Sequence, residues 1–204
     1  GKSKKRNKLL SAQAKEAGVH LVYCKNVGIQ NNGKNVFTYD GFSTAYNADG
    51  TVSASAEMYE NTILECTWDT EAGHFVDEGS IAALPQEPES IYKSLRYGTE
   101  KFLHQCGIKK MTIGLSGGID SAITAAMYAD ILGAENVLLI NLPSVYNSET
   151  TKNIAYNLAK NLGANYAVIP ISHSCEHTEE QLTSTPITNM ASGSTFNLEL
   201  SNIV

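Results

Sequence analysis

Apolar residues in the second half of the chain fall into short continuous runs separated by stretches with helical spacing. Residues 111–115, 136–141 and 166–171 are short apolar runs, which is typical of buried strands. Residues 120–132 place apolar side chains along one helix face, and Ser148 can cap a further helix. Strands that alternate with helices predict an α/β fold with a parallel sheet and right-handed crossovers.

The first half has a different pattern, which predicts one helix followed by several short strands. Residues 42–46 and 51–56 flank Asn47-Ala48-Asp49-Gly50, a strong signal for a β-hairpin. Residues 4–17 can form a helix that stops at a glycine, whereas the segment 28–34, rich in Asn and Gly, is predicted as a loop.

A change of composition between the two halves predicts a domain boundary. Residues 78–89 combine Pro85 and Pro88 with small and acidic residues, which is the composition of a linker. We therefore expect one domain over residues 1–84 and a second over residues 85–204.

Charge and cysteine usage narrow the class of protein. The formal net charge of −6 argues against a nucleic-acid scaffold, and we interpret most of the basic run between Lys2 and Lys8 as the solvated face of a helix. No apolar run reaches membrane-spanning length. The four cysteines are scattered without a C-x-x-C pair, which predicts reduced thiols in a cytoplasmic protein. Because the chain opens without Met in a helical segment, we expect it to be a piece of a longer protein.

The most informative segment joins the strand at 111–115 to the following helix and reads Ser116-Gly117-Gly118-Ile119-Asp120-Ser121. Two glycines let the backbone approach a phosphate closely, and the free N–H groups of the first helical turn point at the anion. The two serines add hydroxyl donors. Neither the Walker loop nor the dinucleotide fingerprint matches this spacing. Asp120 would repel a bare phosphate, so its position predicts a cation between the two, most simply Mg²⁺.

This loop resembles the pyrophosphate loop of ATP pyrophosphatases that adenylate a substrate. With the segments 132–137, 143–149 and 162–164, the second half resembles the synthetase domain of NAD synthetases. The resemblance implies a Rossmann-like adenine nucleotide α-hydrolase (PP-loop) domain. The first half resembles the C-terminal part of a nitrilase-like αββα glutaminase domain, through Gly1-Lys2 with Arg6 and through the segments 40–43 and 49–50. A glutaminase followed by a synthetase is the order found in glutamine-dependent NAD synthetases.

The family resemblance implies an activity and a set of site residues. A carboxylate of deamido-NAD attacks ATP to give an acyl adenylate and pyrophosphate, and glutamine-derived ammonia then gives NAD and AMP. It also implies that the full-length enzyme is a homo-oligomer that binds neither nucleic acid nor membrane. Lys2 is expected to hold glutamine and Asp120 the metal. The expected ATP-binding residues are Gly114, Leu115, Ser116, Gly117, Gly118, Ile119, Asp120 and Ser121.

The same resemblance places some catalytic parts outside the chain. The glutaminase Glu, Lys and Cys are expected upstream of Gly1, and Cys24 is predicted to be a buried strand residue. Later synthetase motifs are expected beyond Val204, so an inactive ATP-binding fragment is one alternative. Another PP-loop glutamine amidotransferase, such as a GMP synthetase, is the second. The end of the 136–141 strand is either part of the adenine site or an ordinary strand end.

Overall fold

The computed structural model describes residues 2–76, 81–144 and 149–199, except the side chains of Lys2 and Glu149. The chain divides into two compact units, Gly1–Ile108 and Lys109–Val204. The division between the compact units falls after Ile108, whereas the predicted domain boundary follows Leu84. That boundary stays a prediction. Among the described residues, no helix is long and apolar enough to cross a membrane.

In its described residues, 2–76 and 81–108, unit 1 has two helices and seven short strands. They are α1 (Lys2–Ala17), β1 (Leu21–Tyr23), β2 (Val27–Asn31), β3 (Val36–Asp40), β4 (Thr44–Tyr46), β5 (Val52–Ser55), β6 (Thr67–Asp69), β7 (His74–Val76) and α2 (Glu89–Gln105). The strands form an antiparallel sheet in the order β1-β4-β5 and two separate hairpins, β2-β3 and β6-β7. The hairpin predicted around Asn47-Ala48-Asp49-Gly50 is confirmed as β4-β5.

The segment predicted as a loop at 28–34 is instead mostly strand. β2 pairs with β3 over its whole length, and only the turn between them is irregular. In that turn the Asn32 side chain accepts hydrogen bonds from the N–H groups of Lys34 (3.1 Å) and Asn35 (2.8 Å). The asparagines therefore close the turn, and the strand itself is stabilised by its pairing partner.

Helix α1 packs on the β1-β4-β5 sheet. Ala14 on the helix and Tyr46 on β4 are both fully buried, and the Tyr46 hydroxyl donates to Asn7 Oδ1 at 2.8 Å. Helix α2 packs against the β2-β3 hairpin at Gly98, where an added Cβ would lie 2.6 Å from Thr38 Oγ1. This packing explains why α2 belongs to unit 1 by contact.

Unit 2 has the predicted α/β architecture. Its elements are β8 (Met111–Gly114), α3 (Ile119–Leu132), a 3-10 turn (Ala134–Asn136), β9 (Val137–Asn141), α4 (Glu149–Leu162), β10 (Asn165–Val168), α5 (Ser172–Ser184), β11 (Ile187–Thr188) and β12 (Thr195–Phe196). Strands β10, β9 and β8 form a parallel sheet in that order. Along the chain, α3 lies between β8 and β9, and α4 lies between β9 and β10. The predicted PP-loop fold is confirmed for this unit.

The core of unit 2 lies between the sheet and helices α3 and α4. Val137 and Leu139 of β9 are fully buried against Ala125 of α3 and Ala155 of α4. The alanines let both helix backbones approach the central strand. Two elements were not predicted: α5, which carries no apolar periodicity, and the small β11-β12 hairpin.

Candidate functional site

The segment between β8 and α3 is anchored to the sheet before it turns. Leu115 is buried, and its N–H donates to Ile140 O of β9 at 2.8 Å, which extends the β8-β9 pairing by one residue. Gly114 is the last residue of β8 and pairs with Ile140. The irregular part of the loop is therefore only Ser116, Gly117 and Gly118.

The two glycines of this loop have different structural requirements. Gly117 has a φ of +89°, and a Cβ there would lie 2.5 Å from the backbone oxygen of Thr151 in α4. Gly118 has an ordinary φ of −84° and precedes the first turn of α3; a Cβ there would lie 3.4 Å from Ser116 Oγ. Glycine is thus required by conformation and by space at Gly117 only.

The two serine hydroxyls predicted to act together lie side by side. Ser116 Oγ and Ser121 Oγ are 3.1 Å apart, and Ser121 Oγ donates to Gly118 O at 3.0 Å. Since the one hydroxyl proton of Ser121 is used there, Ser116 is the donor between the two oxygens. Gly118 N–H donates to Ser116 Oγ at 3.3 Å. Both hydroxyls are exposed, so an incoming anion can replace these bonds.

The first turn of α3 supplies backbone donors. Its first i→i−4 bond runs from Ala122 N–H to Gly118 O, so the N–H groups of Ile119, Asp120 and Ser121 have no partner within the helix. The positive end of the helix dipole lies at the same place. The Ile119 side chain is 70% exposed and adds no cover to this end of the helix. The structure thus places residues 114–121 at the junction of β8 and α3, with Leu115 buried and backbone donors in the first turn of α3.

Asp120 is exposed in this first turn. Within residues 2–76, 81–144 and 149–199, no group of three or more His, Cys, Asp or Glu side chains could hold a metal ion. A single carboxylate beside a phosphate site still fits Mg²⁺, which commonly takes one or two protein carboxylates and completes its shell with phosphate oxygens and water. Asp120 fits that arrangement.

The end of β9, which the sequence analysis gave as either part of the adenine site or an ordinary strand end, lies beside the loop through the side chain of Asn141. This contact with the loop was not predicted. Asn141 is 4% exposed, and its Nδ2 donates to the Leu115 carbonyl at 2.7 Å. Its Oδ1 is buried with no hydrogen-bond partner in the described part of the chain. The available signal was a polar residue at the end of an otherwise apolar strand.

Unit 1 contains a charged cluster that was also missed. Asp40 accepts hydrogen bonds from Ser3 Oγ (2.7 Å) and Arg6 (3.1 Å) and forms an ion pair with Lys25. These side chains border a cleft of about 510 Å³. Burial, reinforced by the charge of Arg6, lowers the pKa of Lys25 to about 8. Arg6 is therefore not part of a solvated basic face, although Lys4, Lys5 and Lys8 are exposed as predicted.

The remaining sequence candidates have different outcomes. Cys24 is exposed and follows the end of β1, so the prediction of a buried strand residue was wrong. His173, Cys175 and His177 form a His-x-Cys-x-His pattern in the sequence and lie exposed on helix α5. The Lys2 side chain lies outside the described part of the structure, and its role stays a prediction.

Most of the chain is similar in sequence to known proteins. The family model for NAD synthase matches residues 91–198, just over half of the chain. The chain is 37% identical to the glutamine-dependent NAD(+) synthetase of Synechocystis sp. and 33% identical to that of Rhodobacter capsulatus, in each case over 84% of this chain and 30% of the relative. The chain thus spans about a third of the length of these curated relatives.

One solved structure resembles both units. It is the glutamine-dependent NAD+ synthetase from Acinetobacter baumannii in complex with adenosine diphosphate, with a TM-score of 0.81 and 28% sequence identity. The match covers 89% of this chain and 34% of that chain.

Proposed function

The chain belongs to the NAD synthase family, and from that premise we propose that it forms part of a glutamine-dependent NAD synthetase. Its substrates are ATP, deamido-NAD and ammonia released from glutamine. The carboxylate of deamido-NAD attacks the α-phosphorus of ATP, and pyrophosphate leaves. Ammonia then attacks the acyl adenylate, AMP leaves, and the amide of NAD remains. The reaction class is therefore a carbon–nitrogen ligation driven by ATP.

The observation that carries this proposal is the convergence of donors between β8 and α3. The N–H groups of Ile119, Asp120 and Ser121 and the hydroxyls of Ser116 and Ser121 meet at one helix start. Donors fixed before the reaction stabilise charge as it develops, without reorganisation during the step. We assign them to the phosphates of ATP and to the departing pyrophosphate. When Mg²⁺ is bound, Asp120 would hold it, and the ion would neutralise phosphate charge.

The proposal extends to the rest of the enzyme. We assign residues 1–84 to the end of a nitrilase-like glutaminase domain, with Lys2 holding glutamine, and residues 85–204 to the start of the synthetase domain. We also propose that the full-length enzyme is a cytoplasmic homo-oligomer. The ADP complex named for the Acinetobacter baumannii relative supports the nucleotide part of the proposal.

The test is a calorimetric titration of the 204-residue chain with pyrophosphate, AMP and ATP, each with and without Mg²⁺. We expect pyrophosphate and ATP to bind more tightly than AMP, because the local donors are all in the loop. Gly118→Val should weaken the binding of pyrophosphate and of ATP. The φ of Gly118 allows a side chain, and the added Cβ would lie beside the Ser116 hydroxyl.

Thr112→Val is the control. Thr112 is exposed on β8 and lies outside the residues proposed to bind ATP, so this variant should leave pyrophosphate binding unchanged. Equal binding of AMP and pyrophosphate, with both unaffected by Gly118→Val, would remove the loop from the site. A separate assay for NAD formation distinguishes an active chain from an ATP-binding fragment without turnover.

A further inference from the structure

Asn141 is a buried polar residue with a hydrogen bond to the loop and an unused acceptor. It is the last residue of β9, whose burial pattern is otherwise that of an apolar core strand. Its side-chain amide must present Nδ2 to Leu115 O, because a carbonyl accepts only from a donor. This orientation leaves Oδ1 as the buried acceptor without a partner among the described residues.

An unsatisfied buried acceptor costs stability, so packing alone does not favour Asn at this position. Positions that break a local rule of folding are often those that serve a site. Within the described part of the chain, the hydrogen bond of this side chain joins it to a residue 26 positions earlier, immediately before the anion loop. The bond therefore links the central strand to the start of that loop.

The geometry of the peptide group gives this bond a consequence inside the loop. In a trans peptide the C=O of Leu115 and the N–H of Ser116 lie in one plane and point in opposite directions. Leu115 is held on one side by its own N–H bond to Ile140 O and on the other by the Asn141 amide. The N–H bond holds the Gly114–Leu115 peptide group, and the Asn141 amide holds the next one, between Leu115 and Ser116. This second peptide plane is the one from which Ser116 starts, and Ser116 carries one of the two hydroxyls.

We propose that Asn141 is a positioning residue for the anion loop: it holds the Leu115 carbonyl and thereby fixes the orientation of Ser116 toward the phosphates. This inference rests on the proposed function of the loop. Asn141 acts through Leu115, and no direct contact with the nucleotide is required.

Asn141→Leu is the informative variant, because it removes the bond and the unsatisfied oxygen together. The variant removes the unsatisfied Asn141 Oδ1 but leaves Leu115 O without this donor, so the two effects offset each other and we expect the urea midpoint of the chain to stay nearly unchanged. Pyrophosphate binding, in contrast, should weaken about tenfold, because the loop loses one hydrogen bond that holds it in the binding conformation. A merely structural role would lower the urea midpoint and leave the pyrophosphate affinity of the folded protein unchanged.

Asn165→Leu is the matched control. Asn165 also donates from its side chain to backbone carbonyls, Glu135 O at 2.8 Å and Val137 O at 3.3 Å, but at the amino end of the sheet. Its loss should lower stability and leave pyrophosphate binding unchanged. If Asn141→Leu does not fold, Asn141→Ala removes the same bond with less bulk.

Amide hydrogen exchange in the ligand-free chain provides a second measurement. Without the Asn141 side chain, the Leu115 N–H should exchange faster, whereas the Ile169 N–H, which donates to the Asn141 backbone oxygen at 2.9 Å, should not change. If the unmodified chain binds pyrophosphate and Asn141→Leu binds it with the same affinity, only the positioning role is overturned. Absence of pyrophosphate binding by the unmodified chain would overturn the proposed function and the positioning role with it.

Discussion

Gly50 in unit 1 and Gly117 in unit 2 meet the same steric demand in two different turns. Both have a positive φ, +86° and +89°. At both, an added Cβ would press against a helix carbonyl, at 2.6 Å from Ser11 O for Gly50 and at 2.5 Å from Thr151 O for Gly117. By backbone conformation and by space, the two glycines are equivalent.

The polar groups around the two glycines are not equivalent. In the Gly50 turn, Asp49 Oδ1 accepts from the N–H and the hydroxyl of Thr51, and the Ser11 hydroxyl donates to Gly50 O. The Gly117 loop instead runs into the start of α3, where N–H donors have no partner within the helix. A required glycine therefore reports a close backbone approach, and the two turns differ in the donors that follow them.

The largest effect is expected for Gly117→Ala. The strain of an alanine in a left-handed backbone conformation and the clash with Thr151 O should together lower the free energy of unfolding by roughly 2–4 kcal/mol. Pyrophosphate binding should be lost as well, because the loop cannot keep its path between Ser116 and α3. Urea unfolding followed by far-UV circular dichroism, with a pyrophosphate titration, checks both. Gly163→Ala, where φ is also positive (+69°) but a Cβ meets nothing within 4 Å, is the control and should keep pyrophosphate binding. Normal pyrophosphate binding by Gly117→Ala would contradict the loop geometry.

Gly50→Ala should give a similar loss of stability, again roughly 2–4 kcal/mol, but in unit 1 and without loss of pyrophosphate binding. The single tryptophan, Trp68, packs edge-on against His20 and Phe75 in unit 1 and reports its unfolding by fluorescence. We expect a lower urea midpoint for the fluorescence transition. If Gly50→Ala abolished pyrophosphate binding as Gly117→Ala does, the distinction between the two turns would fail.

Asp120→Asn tests the charge in the donor-rich loop. Binding of ATP with Mg²⁺ should weaken by roughly 1.5–3 kcal/mol, the usual size of a contact with a charged group. Pyrophosphate without Mg²⁺ should bind slightly more tightly, because a repelling carboxylate has been removed. Calorimetry with and without Mg²⁺ separates the two effects. A uniform change under both conditions would show that Asp120 does not act through the metal.

The elements of unit 2 that form the site could be predicted because their signals are local. Continuous apolar runs indicated β8 and β9, and the loop motif lies directly between a strand and a helix. The bond from Asn141 to Leu115 joins residues 26 positions apart, and neither residue type identifies the other. Such a contact becomes visible only when the parallel pairing of β8 and β9 is known.

Unit 1 was harder to predict for the same physical reason. The strand β2 contains Gly and Asn, which disfavour strands locally, and it forms because β3 pairs with it along its length. Arg6 lies in a lysine-rich segment, so the sequence did not distinguish it from the solvated charges around it. In the structure its side chain binds Asp40, 34 residues away. Cys24 follows an apolar run, but β1 ends one residue earlier and leaves the thiol exposed.

Titration of Lys25 is the smallest effect that we expect, and it tests a charged cluster in unit 1. The pKa of Lys25 is lowered from 10.5 to about 8, chiefly by burial and also by the charge of Arg6, despite the neighbouring Asp40 carboxylate, which favours the charged form. Below pH 8 Lys25 is protonated in both the folded and the unfolded chain, so its contribution to stability is constant. Between pH 8 and 10.5 the unfolded chain holds the proton and the folded chain has released it, so this contribution to the free energy of unfolding rises with pH.

Arg6→Gln should move the Lys25 titration toward higher pH and reduce that rise. NMR of the Lys25 side chain follows the titration. Lys8→Gln removes an exposed charge from the same helix and should do neither. A Lys25 titration unchanged by Arg6→Gln would show that burial alone sets this pKa.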